Sequence, residues 1–267
     1  MKNNLLLGQH FLVCDKVVQE MIDLSEINKN DKILEIGAGN GVVSKKIAPL
    51  CKSLQIVEID INLKPYLDEV VSRFSNVQVE YNNALKYDFS HFDKIITSLP
   101  YNILEPFLFK CIKQKTKLIV MLIGDKYALS LKDENFNNNI TITQLLTKTF
   151  FNCTVSSFVS KNCFEPKPRT GSFIVKLTKK DSLSSLDFII AEIFMQSDKK
   201  IKTALKEAII RYNLTQNKIK TQKQAKQIID NMNIHENVLN VYFSNATNQQ
   251  MRILYNAIKN NLKLIEE

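Results

Sequence analysis

An α/β fold followed by a small all-helical domain is predicted by three observations. Through its first 180 residues the chain alternates short β-rich apolar runs with helical stretches, the pattern of a sheet with crossover helices. An early apolar run, Ile33-Leu34-Glu35-Ile36, feeds a turn with glycine at every second position, Gly37, Gly39 and Gly41. After Gly171 there are no more glycines, and after Pro168 no more prolines, while apolar residues recur at helical spacing.

Taken in order, the expected strands are residues 32–36, 53–58, 77–81, 94–97 and 117–124, each separated by room for a helix. Two further β-like runs, 152–159 and 172–177, lie too close together for a crossover helix and must pair antiparallel. Five parallel strands closed by such a hairpin form the seven-stranded class I (Rossmann-like) methyltransferase sheet, so residues 1–180 are expected to be one domain. Residues 181–267 are expected to be a helical domain built on Ile189, Ile193, Phe194, Leu239, Tyr242 and Phe243. Asn135-Phe136-Asn137-Asn138-Asn139 reads as a loop.

The 267 residues suffice for one sizeable core plus an appendage, and 45% hydrophobic with 24% charged residues is ordinary globular composition. The apolar run 118–123 is far too short to span a bilayer, and the first twelve residues lack a signal-peptide pattern, so a cytoplasmic location is expected. Five cysteines (14, 51, 111, 153, 163) and three histidines are scattered without ligand spacing. No metal site is expected, and the cysteines read as free thiols. The net charge is +9, and all but four of the 36 basic residues are lysine. Position informs more than the total: residues 197–226 hold nine Lys or Arg against Asp198 and Glu207, a stripe that attracts a phosphate backbone.

The glycine turn allows close backbone approach to a ligand, with the next helix pointing its N-terminus there. Its spacing is G-x-G-x-G, and Glu35 precedes it, which argues against a pyrophosphate and for S-adenosyl-L-methionine. Glu58 ends the second strand, where an acid accepts ribose hydroxyls. Asn83 follows the third strand and can read the cofactor's adenine amino group through its carbonyl oxygen. A turn asparagine is the plainer reading of that position.

Ser98-Leu99-Pro100-Tyr101 follows the fourth strand. An aromatic amino nitrogen is a poor nucleophile because its lone pair is delocalised into the ring. Acceptors on both of its N–H bonds, here Ser98 Oγ and the Leu99 carbonyl, draw the nitrogen towards tetrahedral geometry. Pro100 orients that carbonyl, and Tyr101 stacks on an extruded base.

With these motifs in place the chain resembles the KsgA family of rRNA adenine dimethyltransferases along nearly its whole length. The opening Gly8-Gln9-His10-Phe11-Leu12 is similar to the family's G-Q-x-F-L segment. Phe164-Glu165-Pro166-Lys167-Pro168-Arg169-Thr170-Gly171-Ser172 is similar to its F-x-P-x-P-x-V-x-S segment, whose aromatic lies near the target base. Lys199-Lys200-Ile201-Lys202-Thr203-Ala204-Leu205 resembles the basic stretch opening its helical domain.

The resemblance implies S-adenosyl-L-methionine-dependent N6,N6-dimethylation of two adjacent adenines near the 3′ end of small-subunit rRNA, by a monomer acting on a pre-ribosomal small subunit. It implies cofactor contacts from Gln9, His10, Leu12, Gly37, Gly39, Gly41, Glu58, Ile59, Asn83, Ala84 and Ser98. Ser98, Leu99, Pro100, Tyr101 and Phe164 are the implied catalytic residues, and Lys199, Lys200, Lys202 and Lys206 the implied RNA contacts. Three positions depart from the family pattern: Ser98 stands where Asn is usual, Asn83 where Asp is usual, and lysine where arginine is common in the basic stretch.

Two other readings use the same residues. Erm-type enzymes, which modify a single adenine of large-subunit rRNA, share the pocket, but the Phe164–Ser172 segment and Lys199–Leu205 favour the KsgA-like reading. A ribosome-assembly factor without turnover has only Ser98 and Asn83 in its support.

Overall fold

The computed structural model describes residues 9–99, 103–133 and 140–267. Two compact units emerge, one of residues 9–132 and 152–179, the other of 133–151 and 180–267 within that described range. The boundary differs from the contiguous division expected at residue 180. Order along the chain makes residues 142–150 look like one more crossover of the sheet. Their helix instead buries Leu145 and Leu146 in the helical unit, and Phe150 lies edge-on to Phe194 at 5.9 Å.

In the first unit, the segment order is β1 (Phe11–Leu12), α1 (Asp15–Ser25), β2 (Lys32–Ile36), α2 (Val42–Ile47), β3 (Ser53–Glu58), α3 (Lys64–Arg73), β4 (Val77–Tyr81), β5 (Lys94–Ser98), α4 (Leu104–Lys113), β6 (Leu118–Gly124) and α5 (Asp125–Lys132). After α6 (Ile142–Phe150) of the other unit come β7 (Phe151–Val159), β8 (Phe164–Glu165) and β9 (Ser172–Lys179). The seven-stranded sheet has the order β4-β3-β2-β5-β6-β9-β7, with a separate β1-β8 pair. Strands β2 to β6 are parallel where they adjoin, and β9 runs antiparallel to β6. Every residue of β6 is buried, as its unbroken apolar run requires of a central strand covered on both faces.

This order creates the site. From β2 the chain steps through β3 to β4 in one direction, then returns to β5 and β6 on the other side of β2. The carboxyl ends of β2 and β5 therefore flank a topological switch point, where open α/β sheets leave a crevice. The glycine turn follows β2 there, and Ser98 ends β5.

The second unit continues with α7 (Ser185–Met195), α8 (Ile201–Thr215), α9 (Gln222–Asn231), α10 (Glu236–Leu239), α11 (Asn248–Asn260) and α12 (Leu262–Glu266). Short polar signals start its helices. Thr221 with Gln224 and Thr247 with Gln250 form reciprocal capping boxes for α9 and α11. Ile189, Ile193, Phe194, Leu239 and Phe243 are buried as expected, but Tyr242 is 44% exposed, its backbone bridging Lys200. No helix among the described residues is long and apolar enough to cross a membrane.

Candidate active site

A cavity of about 690 Å³ opens at the switch point, lined from the glycine turn, the ends of β3 and β5, the loop after β4 and the β1-β8 pair. Gly37, Gly39 and Gly41 all take positive φ, at 71°, 59° and 76°. At Gly39 a side chain is also sterically excluded, because a Cβ there would lie 2.9 Å from the Phe11 ring. At Gly41 it would meet Val70 of α3 at 2.8 Å, so this glycine seats α2 against α3.

Glu58 is buried and gathers three backbone N–H groups: Gly39 donates to Oε2 at 3.1 Å, and Ile59 and Asp60 donate to Oε1 at 2.9 and 3.0 Å. Burial still raises its pKa above the ordinary carboxylate value, against the pull of those donors. Three of roughly four acceptor directions are thereby used, leaving about one for a ligand hydroxyl. Ile59 beside it is exposed at the cavity lip.

Glu35 lies deeper. Ser44 Oγ donates to it at 2.5 Å, and burial, with the Glu58 charge as a lesser cause, pushes its carboxyl up to about 7. Asp60 was missed as a site residue. It accepts from Gln9 Nε2 at 3.1 Å and so ties the segment before β1 to the β3 end of the cavity. Its only sequence signal was its place two residues after Glu58.

The segment before α1 lines the other side. Gln9, His10 and Leu12 face the cavity, and Gln9 Oε1 is buried with no hydrogen-bond partner among the described residues. His10 Nδ1 lies 2.6 Å from the Pro166 carbonyl. In the β1-β8 pair Leu12 stands opposite Phe164 and Phe11 opposite Glu165, and Val13 N–H donates to the Cys163 carbonyl at 2.9 Å. Cys14 and Cys163 are disulfide-paired, their Cα atoms 4.9 Å apart. This corrects the expectation of free thiols at these two positions; Cys51, Cys111 and Cys153 form no disulfide among the described residues. The pairing joins residues 149 apart in sequence, which no cysteine spacing can announce.

Asn83 and Ala84 line the cavity, and Asn83 Oδ1 already accepts Leu85 N–H at 2.9 Å as the cap of a short turn. The turn role and a ligand role thus share one carbonyl oxygen, which has two lone pairs. Ser98, Leu99 and buried Phe164 line the same cavity, so the sheet brings together the two ends of the chemistry read separately from the sequence. Thr97 holds the strand end by donating to the Ile36 carbonyl at 2.9 Å. Gly8, Pro100 and Tyr101 lie outside the described residues.

The four lysines expected to meet RNA differ in their surroundings. Lys199 Nζ is held by Glu207 at 2.9 and 2.8 Å and by Gln196 at 3.1 Å. Lys200 occupies the N-cap of α8. Lys202 pairs with Glu236 at 3.0 Å, and Lys206 lines a small groove beside it. Among the described residues no cluster of three or more His, Cys, Asp or Glu could hold a metal ion.

Residues 1–244 match the family model described as ribosomal RNA adenine dimethylase. A protein of Methanococcus vannielii described as a probable ribosomal RNA small subunit methyltransferase A is 30% identical over 247 residues, 88% of each chain. A protein of Pyrococcus abyssi with the same description is 28% identical over 203 residues, 76% of this chain and 75% of the relative. Among solved structures, a dimethyladenosine transferase from Plasmodium falciparum superposes with a TM-score of 0.65 at 22% identity, covering 94% of this chain and 98% of that one. The 23S rRNA methyltransferase ErmE superposes with a TM-score of 0.60 at 17% identity, covering 93% and 99%. These two likenesses speak for the fold, whereas the family model spans most of the sequence: the chain belongs to the ribosomal RNA adenine dimethylase family, and by that membership is an rRNA-modifying methyltransferase.

Proposed function

We propose that this protein transfers methyl groups from S-adenosyl-L-methionine to the N6 atoms of two adjacent adenines near the 3′ end of small-subunit rRNA, on a maturing small subunit in the cytoplasm and as a monomer. The observation that carries the reading is the convergence of the glycine turn, Glu58, Ser98, Leu99 and Phe164 on one cavity at the sheet's switch point. The relatives described as small subunit methyltransferases support the choice of subunit.

The residues fit the proposed methyl donor. The cavity volume suits a nucleoside-sized molecule, and the unpartnered, buried Gln9 Oε1 is an acceptor waiting for a donor. Glu58 would offer its remaining acceptor site to a ribose hydroxyl, the Gly37–Gly41 turn would let the cofactor approach the backbone, and Ile59 and Ala84, which line the same cavity, would hold its apolar surface. Burial raises the pKa of both Glu35 and Glu58, so a cationic ligand in the cavity would favour their ionised forms when it binds. When bound, S-adenosyl-L-methionine supplies an electrophilic methyl group on a positively charged sulfur.

The chain's own part is to prepare the nucleophile. Ser98 Oγ and the Leu99 carbonyl accept the two N–H bonds of the target adenine, which localises the nitrogen lone pair for in-line attack. Phe164 and Tyr101 hold the extruded base, repaying the unstacking it costs. A general base is unnecessary, because the product ammonium gives its proton to water. Ser98 is shorter than the Asn usual in this position, so its hydroxyl must sit closer to the base for the second transfer.

The test is methyl transfer from labelled S-adenosyl-L-methionine to small subunits lacking the modification, with nucleoside analysis. Dimethyladenosine at the 3′-end pair is expected. Monomethyladenosine alone would limit Ser98 to one transfer, product on large-subunit rRNA would favour the Erm-type reading, and subunit binding without transfer would make the protein an assembly factor.

A further inference from the structure

We propose that Asp60 is a positioning residue for the methyl donor: it fixes the side-chain amide of Gln9 with the oxygen end free, and Gln9 Oε1 accepts one of the two ribose hydroxyls. The proposal rests on the reading of Glu58 as a ribose acceptor. It goes beyond that reading by assigning the second hydroxyl and the group that prepares its acceptor.

The need for a second acceptor follows from Glu58. The N–H groups of Gly39, Ile59 and Asp60 already occupy three of about four acceptor directions on its carboxylate. A ribose presents two hydroxyl donors, so one of them is left without a carboxylate oxygen. Gln9 lines the same cavity, and its Oε1 is buried with no hydrogen-bond partner among the described residues. A buried acceptor without a donor is costly, and a ligand hydroxyl removes that cost.

Asp60 decides which end of the Gln9 amide is free. Burial works to raise its pKa, but hydrogen bonds from Asn62 and Gln9 hold the carboxyl below its ordinary value. An ionised carboxylate only accepts, so the amide end that meets Asp60 Oδ2 at 3.1 Å is Nε2. The oxygen is thereby left for the ligand. Asp60 is held from its other side, where Asn62 donates to Oδ1 from its backbone N–H at 3.0 Å and from Nδ2 at 2.8 Å. Its own N–H donates to Glu58 Oε1 at 3.0 Å. One run of hydrogen bonds thus couples both ribose acceptors, and Asp60 acts through Gln9 without itself lining the cavity.

A turn cap alone does not account for the carboxylate. The cap of the short turn Ile61–Leu63 uses Oδ1, and asparagine caps about as well as aspartate. Oδ2 instead serves Gln9, 51 positions away in the chain. Asp60→Asn would keep the cap but turn an N–H donor towards Gln9 Nε2. Two donors would then face each other, and the Gln9 amide must rotate. The ribose would meet a donor where it needs an acceptor.

The test is calorimetric binding of S-adenosyl-L-homocysteine, and of its 2′-deoxy and 3′-deoxy forms, to the full chain. Asp60→Asn should weaken S-adenosyl-L-homocysteine about tenfold, yet bind one of the two deoxy forms as well as the natural chain does. The variant D60N/Q9E exchanges donor and acceptor between the two positions at unchanged net charge and again leaves an acceptor oxygen free. It should recover affinity to within about threefold of the natural chain. Gln9→Ala, which leaves the turn cap in place, should become insensitive to the same hydroxyl as Asp60→Asn. Equal losses for all three ligands in Asp60→Asn overturn the proposal, as does undiminished binding there or a failure of D60N/Q9E to recover. Insensitivity of Gln9→Ala to neither hydroxyl overturns it independently of how the Asp60 variants fold. The function reading is separable: if these binding patterns hold but the natural chain transfers no methyl to small subunits, Asp60 keeps its role and the dimethylation reading falls. If it dimethylates without these patterns, the reverse holds.

Discussion

The carboxylates around the switch-point cavity and the lysines of the α8–α9 groove are charged clusters that the fold treats in opposite ways. Glu58 is buried and filled by three backbone N–H donors, and Glu35 is buried and hydrogen-bonded by Ser44. Lys206, Lys223 and Lys226 line a hollow with no carboxylate partner among the described residues. The first cluster is part of the protein's own hydrogen-bond accounting, so its geometry is set before any ligand arrives. The second is left open, and only an incoming anion completes it. A site for a small molecule demands such preorganisation, while a surface that meets an RNA backbone can tolerate mobile side chains on a fixed helix frame.

If this contrast is right, removing the acceptor oxygens of the first cluster should damage the fold, whereas removing charge from the lysines should not. The largest effect is expected from Glu58→Ala, which strands the N–H groups of Gly39, Ile59 and Asp60 in a buried place. At about 1–3 kcal/mol for each orphaned donor, a loss of about 4 kcal/mol is expected in chemical denaturation. A loss under 1 kcal/mol would mean that water reaches these groups freely.

Next is the pH dependence carried by Glu35. Its folded pKa, raised chiefly by burial to about 7, exceeds the ordinary 4.5, so the native state holds this proton more tightly than the unfolded chain. Its contribution to stability is therefore fully present below pH 4.5 and is lost as pH rises through about 7. Glu35→Gln keeps an acceptor for Ser44 without the titration. The stability of the variant relative to the natural chain should rise by about 3 kcal/mol between pH 5 and pH 8 in denaturant titrations. A pH-independent difference would place Glu35 in contact with solvent.

The smallest effect is expected from K206Q/K223Q/K226Q. Relief of like-charge repulsion should leave thermal stability unchanged or raise it by less than about 1 kcal/mol, even as RNA affinity falls. A clear drop in Tm would mean that the lysines hold the helices together, and the contrast with Glu58 would collapse.

Much of the fold was legible because it is local. Strands at 32–36, 53–58 and 77–81 coincide with the observed β2, β3 and β4, since period and punctuation mark a strand without reference to its neighbours. The glycine turn could be read for the same reason: three positive φ values within five residues leave little choice but glycine. Ser98-Leu99 could be placed at the cavity from strand order alone, because a parallel sheet sends every odd turn to the same edge.

What escaped the sequence depends on partners far along the chain. Asp60 became a site residue through Gln9, 51 positions away, and Cys14 found Cys163 through the β1-β8 pair. Helix α6 lies between two strands of the sheet in sequence, yet its apolar face is buried in the helical unit. Among the lysines, composition counts each as one charge, whereas the reach of Glu207 cancels Lys199 and leaves Lys206 free to act. Local pattern thus determined the elements, their order and the family; tertiary structure alone decided which charges remain, because pairing falls off within a few ångströms and sequence carries no distances.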